Sequence, residues 1–316
     1  MTFFTRSLAG AGMAMAIAAT PALAEDYPTR PVEFIVPWAP GGGSDVLMRV
    51  VANNIPPYLG ADMPVINIPG VGGTVGLADA GSRAADGYTI SQVHEGLLTA
   101  TATGLTDLQW DDFEQIALLT ASPQFLVIGS DLPYDSFEGL VEYAQENPGE
   151  VTIGVTLGGV PHLHAAMIAE AFDIDWRYVG YEGTGERIRS LVGGNLDVAI
   201  GDISSSLQFA ENGDLIFVAA GTEERVDQLP DVPTFVELGA DLDLLITRGI
   251  VMPAGAPEEA MARMEAALEE LTQDATFIEQ VNNAGADVMF RGRDEYRAYL
   301  EGLNDTVARL AEVIAP

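Results

Sequence analysis

Pro40-Gly41-Gly42-Gly43-Ser44-Asp45 lies between an apolar run, Val32 to Val36, and a segment of helical spacing, Val46 to Ala52. The run reads as a buried strand and the segment as the helix that follows it. A strand, a glycine turn and a helix start gather several unpaired backbone N–H groups at one point. The helix dipole adds about half a positive charge there. Such a place holds an anion without any basic side chain. Gly41, Gly42, Gly43 and Ser44 are therefore candidate contacts for a carboxylate, through backbone N–H groups and the Ser44 hydroxyl. Asp45 would cap the helix or accept from waters that bridge to a ligand. Trp38 walls the pocket on this reading, and Ala39 belongs to the same loop.

A second stretch repeats the design. Strand Val151 to Val155 runs into Thr156-Leu157-Gly158-Gly159-Val160, and Pro161 then opens a helix where proline fits best. Thr156, Gly158, Gly159 and Val160 are the matching candidates. Two anion-holding helix starts on separate βα units suggest a clamp for one ligand with two acidic ends. A third turn, Pro69-Gly70-Val71-Gly72-Gly73-Thr74-Val75-Gly76, fails as a dinucleotide fingerprint because Val75 stands where the third glycine is due. Gly73 and Thr74 instead form a tight turn into a helix. Ligands of open α/β sheets sit outside the carboxyl ends of the strands. That supports all three turns, and also Asp202, just past the strand Leu196 to Ile200.

Around these turns, apolar runs alternate with helix-period segments, the pattern of α/β domains with largely parallel sheets. The 316 residues suffice for one large or two modest domains. Arg6, the apolar stretch Leu8 to Ala19 and Ala22-Leu23-Ala24 read as a signal peptide over 1–24, so a mature chain is expected to begin near Glu25 in the periplasm. Nothing later approaches the roughly 20 apolar residues of a membrane span. The tail carries helical stripes, such as Met261, Met264, Leu268 and Leu271, that read as core.

Composition narrows the chemistry. Cysteine is absent, which removes disulfides, thiolate metal sites and a cysteine nucleophile. All 14 basic residues are arginine; without lysine there is no Schiff base and no P-loop lysine. With Arg6 cleaved, 13 basic side chains face 47 acidic ones, a balance of −34. Nucleic acid and anionic membranes are poor partners for such a surface. An acid-rich, lysine-free chain fits a salty habitat, or a GC-rich genome that replaces lysine codons. Screening lets so negative a protein bind an acid, since the Debye length is about 10 Å at 0.1 M salt and 3 Å at 1 M.

Nine short motifs stand in a recurring order. Four of them are Tyr27-Pro28 with Arg30-Pro31-Val32, the Pro40–Asp45 turn, Pro69-Gly70-Val71-Gly72-Gly73, and Asp86-Gly87-Tyr88-Thr89. The other five are Pro161-His162-Leu163-His164, Tyr181-Glu182-Gly183, Gly193-Gly194-Asn195-Leu196-Asp197, Asp231-Val232-Pro233-Thr234 and Pro253-Ala254-Gly255-Ala256-Pro257. From Tyr27 to the C-terminus the chain resembles the extracytoplasmic solute receptors of tripartite tricarboxylate transporters, the Bug proteins. The resemblance implies a periplasmic-binding-protein fold of type II, with two α/β lobes joined by two crossing strands and a ligand between them. By analogy one lobe spans 25–126 plus 247–316, and the other 127–246. It further implies a small organic acid held mainly by backbone N–H groups, hydroxyls and waters, with a di- or tricarboxylate favoured. A monomeric receptor would deliver it to one large and one small membrane subunit, with no cofactor.

Several residues depart from that pattern. His94-Glu95 stands where small polar residues are usual. If His94 faces the cleft it would donate to a ligand oxygen, more strongly when protonated. Arg248 stands in the second crossing segment where an aromatic is usual; it offers a carboxylate a bidentate partner if it reaches the cleft. An exchanged surface salt bridge is the plainer explanation of Arg248 and of Glu182. His162 and His164 point about 200° apart on a helix, so one metal cannot readily use both. No metal site is expected, and His162 at the helix start is retained as a ligand contact.

A ligand-presenting sensory receptor would look identical in sequence. A hydrolase or isomerase using His94, Asp45 or Asp202 as base is a weaker reading, because neither a Gly-x-Ser-x-Gly elbow nor a His-Glu-x-x-His helix is present.

Overall fold

The computed structural model describes residues 27–38, 40–41, 43–181 and 183–315. The segment read as a signal peptide, together with Ala39, Gly42 and Glu182, lies outside the described residues. Two mixed sheets organise the chain. The first contains β1 (Glu33–Val36), β2 (Val65–Asn67), β3 (Thr89–Val93), β4 (Phe113–Pro123), β10 (Leu245–Pro253) and β11 (Asp287–Gly292), in the order β11-β4-β10-β3-β1-β2. The second contains β5 (Phe125–Gly129), β6 (Thr152–Val155), β7 (Arg177–Gly180), β8 (Val198–Gly201) and β9 (Leu215–Ala220), in the order β7-β6-β8-β5-β9.

The chain leaves the first sheet at Gln124 and returns to it at Leu245. In each sheet one strand arrives from the other sheet and inserts antiparallel beside parallel neighbours. β10 lies between β3 and β4, and β5 between β8 and β9. The two sheets thereby share one plan: second strand, first, third, visitor, fourth. The α/β class and the periplasmic-binding-protein type follow from this order. The parallel share is smaller than the apolar pattern implied, because a buried run reads alike whichever way its neighbours point.

Helices cover both sheets. Around the first are α1 (Gly43–Asn54), α2 (Pro56–Leu59), α3 (Thr74–Ser82), α4 (Gly96–Ala102), α9 (Glu258–Leu271) and α10 (Ala275–Asn283). Around the second are α5 (Phe137–Glu146), α6 (Val160–Phe172), α7 (Thr184–Val192) and α8 (Ile203–Glu211). Each sheet has its own core. Phe34, Leu47, Met48, Ile250, Leu268 and Phe277 fill the first; Leu126, Phe137, Ile153, Ile168, Ile200 and Phe235 fill the second.

A further cluster joins them. The last helix, α11 (Arg293–Ile314), buries Leu300, Val307, Leu310 and Ile314 with Leu97 and Leu98 of α4 and with Leu163 and Ala166 of α6. This helix therefore straps one half to the other. Among the described residues no helix is long and apolar enough to cross a membrane.

Candidate functional site

A cleft of about 460 Å³ opens between the sheets where the crossing strands pass. From the first half it is lined by Trp38, Gly43, Ser44, His94, Ser122 and Arg248; Thr184, Asp202 and Ser204 face them from the second.

Arg248 is the centre of this cleft. It sits on β10 at a break in register with β4, between Arg248 and Gly249; such a bulge re-aims the side chain beside it. Gly249 is required there, because a Cβ would collide with the Tyr296 hydroxyl. Only 7% exposed, Arg248 donates from Nε to Ser44 Oγ at 3.1 Å and from Nη1 to Ser122 Oγ at 2.9 Å. Nη1 also reaches the Ile246 carbonyl at 3.3 Å. Nη2 has no hydrogen-bond partner among the described residues and lies 3.6 Å from where a Cβ on Gly43 would be.

Among the described residues no carboxylate lies within 4.0 Å of this guanidinium. Burial pushes its pKa down to about 10, with Glu95 and Asp202 pulling the other way, so it remains a cation at neutral pH. A buried cation beside the positive start of α1, with one nitrogen free, is a poor arrangement until an anion joins it. The surface salt bridge expected from the sequence as the plainer account of Arg248 is absent; the side chain turns inward.

The glycine turn serves this cation less uniformly than its sequence suggests. Asp45 is buried, and its carboxylate accepts from Gly41 N at 2.8 Å, Arg49 Nε at 3.0 Å and Asn67 Nδ2 at 2.8 Å. Burial pushes this carboxyl up, but the bonds from Arg49, Gly41 and Asn67 outweigh burial and lower its pKa. Asp45 is thus a brace inside the loop, and the Gly41 N–H is turned to it and away from any ligand. Among the described turn residues, Gly43 and Ser44 reach the cleft.

Trp38 and His94 form a wall. Their rings stack with centroids 4.4 Å apart and planes 8° from parallel, and Trp38 donates to Gln92 Oε1 at 2.5 Å. Gly73, at φ +92°, makes room for the indole, since a Cβ there would sit 2.7 Å from Trp38 Cη2. The third turn therefore shapes the wall from behind, and Thr74 donates locally to the Val71 carbonyl at 2.9 Å. Burial, with Arg248 adding to it, pushes the His94 pKa down to about 3. Its Nδ1 accepts the Gly96 N–H at 2.8 Å, which leaves the hydrogen on Nε2. His94 is thus a neutral imidazole in the cleft wall, not the imidazolium considered from sequence.

The second turn does not line the cleft. Gly159 N–H donates to the Thr156 carbonyl at 2.9 Å and Gly158 N–H to His162 Nδ1 at 3.1 Å. Val160 and His162 are buried, and His162 packs edge-on to Tyr178. His164 is buried too; desolvation first, then Arg187, push its pKa down to about 3, against a bond to the Leu245 backbone. Sequence reasoning missed the residue that links this turn to the cleft. Arg187 is fully buried and donates to the Ile200 carbonyl at 2.8 Å, to Thr184 Oγ1 at 3.2 Å and to Thr156 Oγ1 at 3.4 Å. The available signal was its place on the inward stripe of α7, with Thr184, Ile188 and Leu191. Asp202 caps α8, one oxygen accepting from Ser204 Oγ at 2.6 Å and from Ser205 N at 2.8 Å.

Among the described residues no cluster of His, Asp and Glu is arranged to hold a metal. The site's chemistry is that of recognition: a cation, hydroxyls, a helix start and an aromatic wall.

Known proteins share this architecture. Residues 47–315 match the family model described as tripartite tricarboxylate transporter family receptor. A UPF0065 protein of Agrobacterium vitis is 30% identical over 92% of this chain and 85% of its own. BugT of Bordetella pertussis is 29% identical over 98% and 97%. The crystal structure of a TctC solute-binding protein from Polaromonas superposes with a TM-score of 0.79 at 25% identity, over 91% of this chain and 99% of that one. The family and the solved Polaromonas structure are solute-binding receptors, not enzymes, and the chain belongs to the tripartite tricarboxylate transporter receptor family.

Proposed function

We propose that this chain is a periplasmic receptor that captures a small organic acid in the cleft and delivers it to a membrane pair of one large and one small subunit. The observation that carries the reading is Arg248, a buried guanidinium with an unused nitrogen beside the α1 start and no ion-pair partner among the described residues. A ligand carboxylate supplies the missing charge and accepts from Arg248, the Gly43 region and Ser44. Lobes 25–126 plus 247–316 and 127–246 then close over it. The single passages near Gln124 and Leu245 support such a hinge, and family membership supports the transport role. No covalent step is required.

The test is the thermal midpoint of the chain from Glu25, in low and in molar salt, against mono-, di-, tricarboxylic and aromatic acids. A ligand at about 100 times its dissociation constant adds roughly 2.7 kcal/mol. A subset of acids should raise the midpoint and keep doing so at 1 M salt, because direct contacts lie within the roughly 3 Å screening length. The reading fails if no acid shifts a preparation shown by unfolding and extraction to be ligand-free.

A further inference from the structure

The two faces of the cleft carry opposite charges. Arg248 projects from the first half and Asp202 from the second; both line the cleft, and they do not form an ion pair. Asp202 Oδ1 is saturated by Ser204 Oγ, Ser205 N and Ser205 Oγ at 2.6–2.9 Å. Oδ2 has no donor among the described residues. The described lining from the second half otherwise offers only hydroxyls, Thr184 and Ser204. The other cation nearby, Arg187, is fully buried behind Thr184 with its bonds turned to Ile200, Thr156 and Thr184.

A ligand with two acidic ends would set its second carboxylate against Asp202. A ligand with one carboxylate and one donor would match both faces. We propose that the cleft selects an acid that also carries a hydroxyl or ammonium group, with Arg248 taking the carboxylate and Asp202 Oδ2 accepting from the donor. This rests on the carboxylate reading above and names the ligand class within it. It also replaces the two-anion clamp suggested by the paired glycine turns, because the second turn's N–H groups at Gly158 and Gly159 are used internally.

The mechanism is complementarity on closure. Asp202 is held rigid as the cap of α8, so it needs no reorganisation to receive the donor. A charged acceptor facing a ligand without a donor loses its water and gains nothing, and hydrogen bonds to charged groups discriminate by about 10- to 100-fold.

The experiment titrates matched acids calorimetrically into the chain from Glu25: butyrate, succinate, and the 2- and 4-hydroxy and 2- and 4-amino derivatives of butyrate. The variants are Asp202→Asn, which keeps a helix cap, Asp202→Ser, which also caps, and Arg248→Gln. At least one donor-bearing acid is expected to bind about 10- to 100-fold more tightly than butyrate. In both Asp202 variants that ratio should fall toward one, and succinate should bind better than it does to the parent. The proposal is overturned if butyrate or succinate matches the donor-bearing acids in the parent, or if their preference survives both Asp202 variants. If Arg248→Gln binds every acid as the parent does, the carboxylate reading falls as well. That outcome is separate from a failure confined to Asp202.

Discussion

Replacing Arg248 by methionine should separate binding from folding. The parent holds a guanidinium whose pKa burial pushes down from the ordinary arginine range to about 10. Each pKa unit is about 1.36 kcal/mol, so the fold disfavours this cation by roughly 3 kcal/mol relative to water. Against that stand its bonds to Ser44, Ser122 and the Ile246 carbonyl. The two hydroxyls border the cleft and can turn to water once the arginine is gone. An apolar side chain of similar length removes that desolvation penalty, so the change is expected to be neutral or stabilising by at most the roughly 3 kcal/mol above. The ligand-free variant should therefore unfold at the parent's midpoint or a few degrees above it, at roughly 2 °C per kcal/mol for a chain of this size. The roughly 2.7 kcal/mol that a near-saturating acid adds to the parent should vanish. Differential scanning calorimetry with and without acid reads both. A variant that loses several degrees without ligand, yet keeps the full acid-induced shift, would make Arg248 a structural residue and refute the reasoning.

Other perturbations follow from the same geometry. His94 and His164 have folded-state pKa values near 3, below the unfolded 6.5. Their contribution is fully present above pH 6.5 and lost as pH falls toward 3, on the order of 2 kcal/mol each at pH 5. His164→Gln should thus lose less stability than the parent between pH 7 and 5 by urea titration; equal losses would contradict the assignment. Glu95, Asp243 and Asp287 are shifted up by burial and act in the opposite sense, so only the comparison with the parent is informative. Gly73→Ala combines φ +92° with a contact at 2.7 Å to Trp38 and should cost about 2–4 kcal/mol, with a change in indole fluorescence as Trp38 leaves His94. Asp45→Ala removes the acceptor for Gly41, Arg49 and Asn67 and should cost about 2 kcal/mol, while weakening acid binding through the loosened turn.

The strand, glycine turn and helix start at Val32–Ala52 could be read directly, because the apolar run, the glycines and the helical spacing each signal one element. The second βα unit was legible for the same reason. What they do with their N–H groups was not. Whether Gly41 N–H faces a ligand or Asp45 depends on where one carboxylate four residues later turns, and the loop spacing fits either. The crossing strands were harder still. β4 is an unbroken buried run over most of Phe113–Pro123, with no turn to mark where one sheet yields to the next. β11 carries Asp287 and Arg291 and is only partly buried, so it lacks the apolar signal of a strand. Arg187 is the instructive omission. Glu186 and Arg189 flank it and give the segment a solvated look, although its spacing from Leu191 places it on the inward stripe of the helix. Arg248 was found as a departure from a family pattern, but its inward direction depends on the bulge in β10, which exists only once β10 pairs with β4.

The central claim is that Arg248 and the start of α1 receive a carboxylate. A crystal structure of the chain from Glu25, grown with the acid that most raises its thermal midpoint, tests it most directly. The account predicts a carboxylate oxygen within hydrogen-bond distance of Arg248 Nη2 and of Ser44 or the Gly43 N–H, with the acid enclosed between the two sheets. An acid seated on the Thr156–Gly159 turn or outside the cleft, with Arg248 Nη2 left facing solvent, would contradict it.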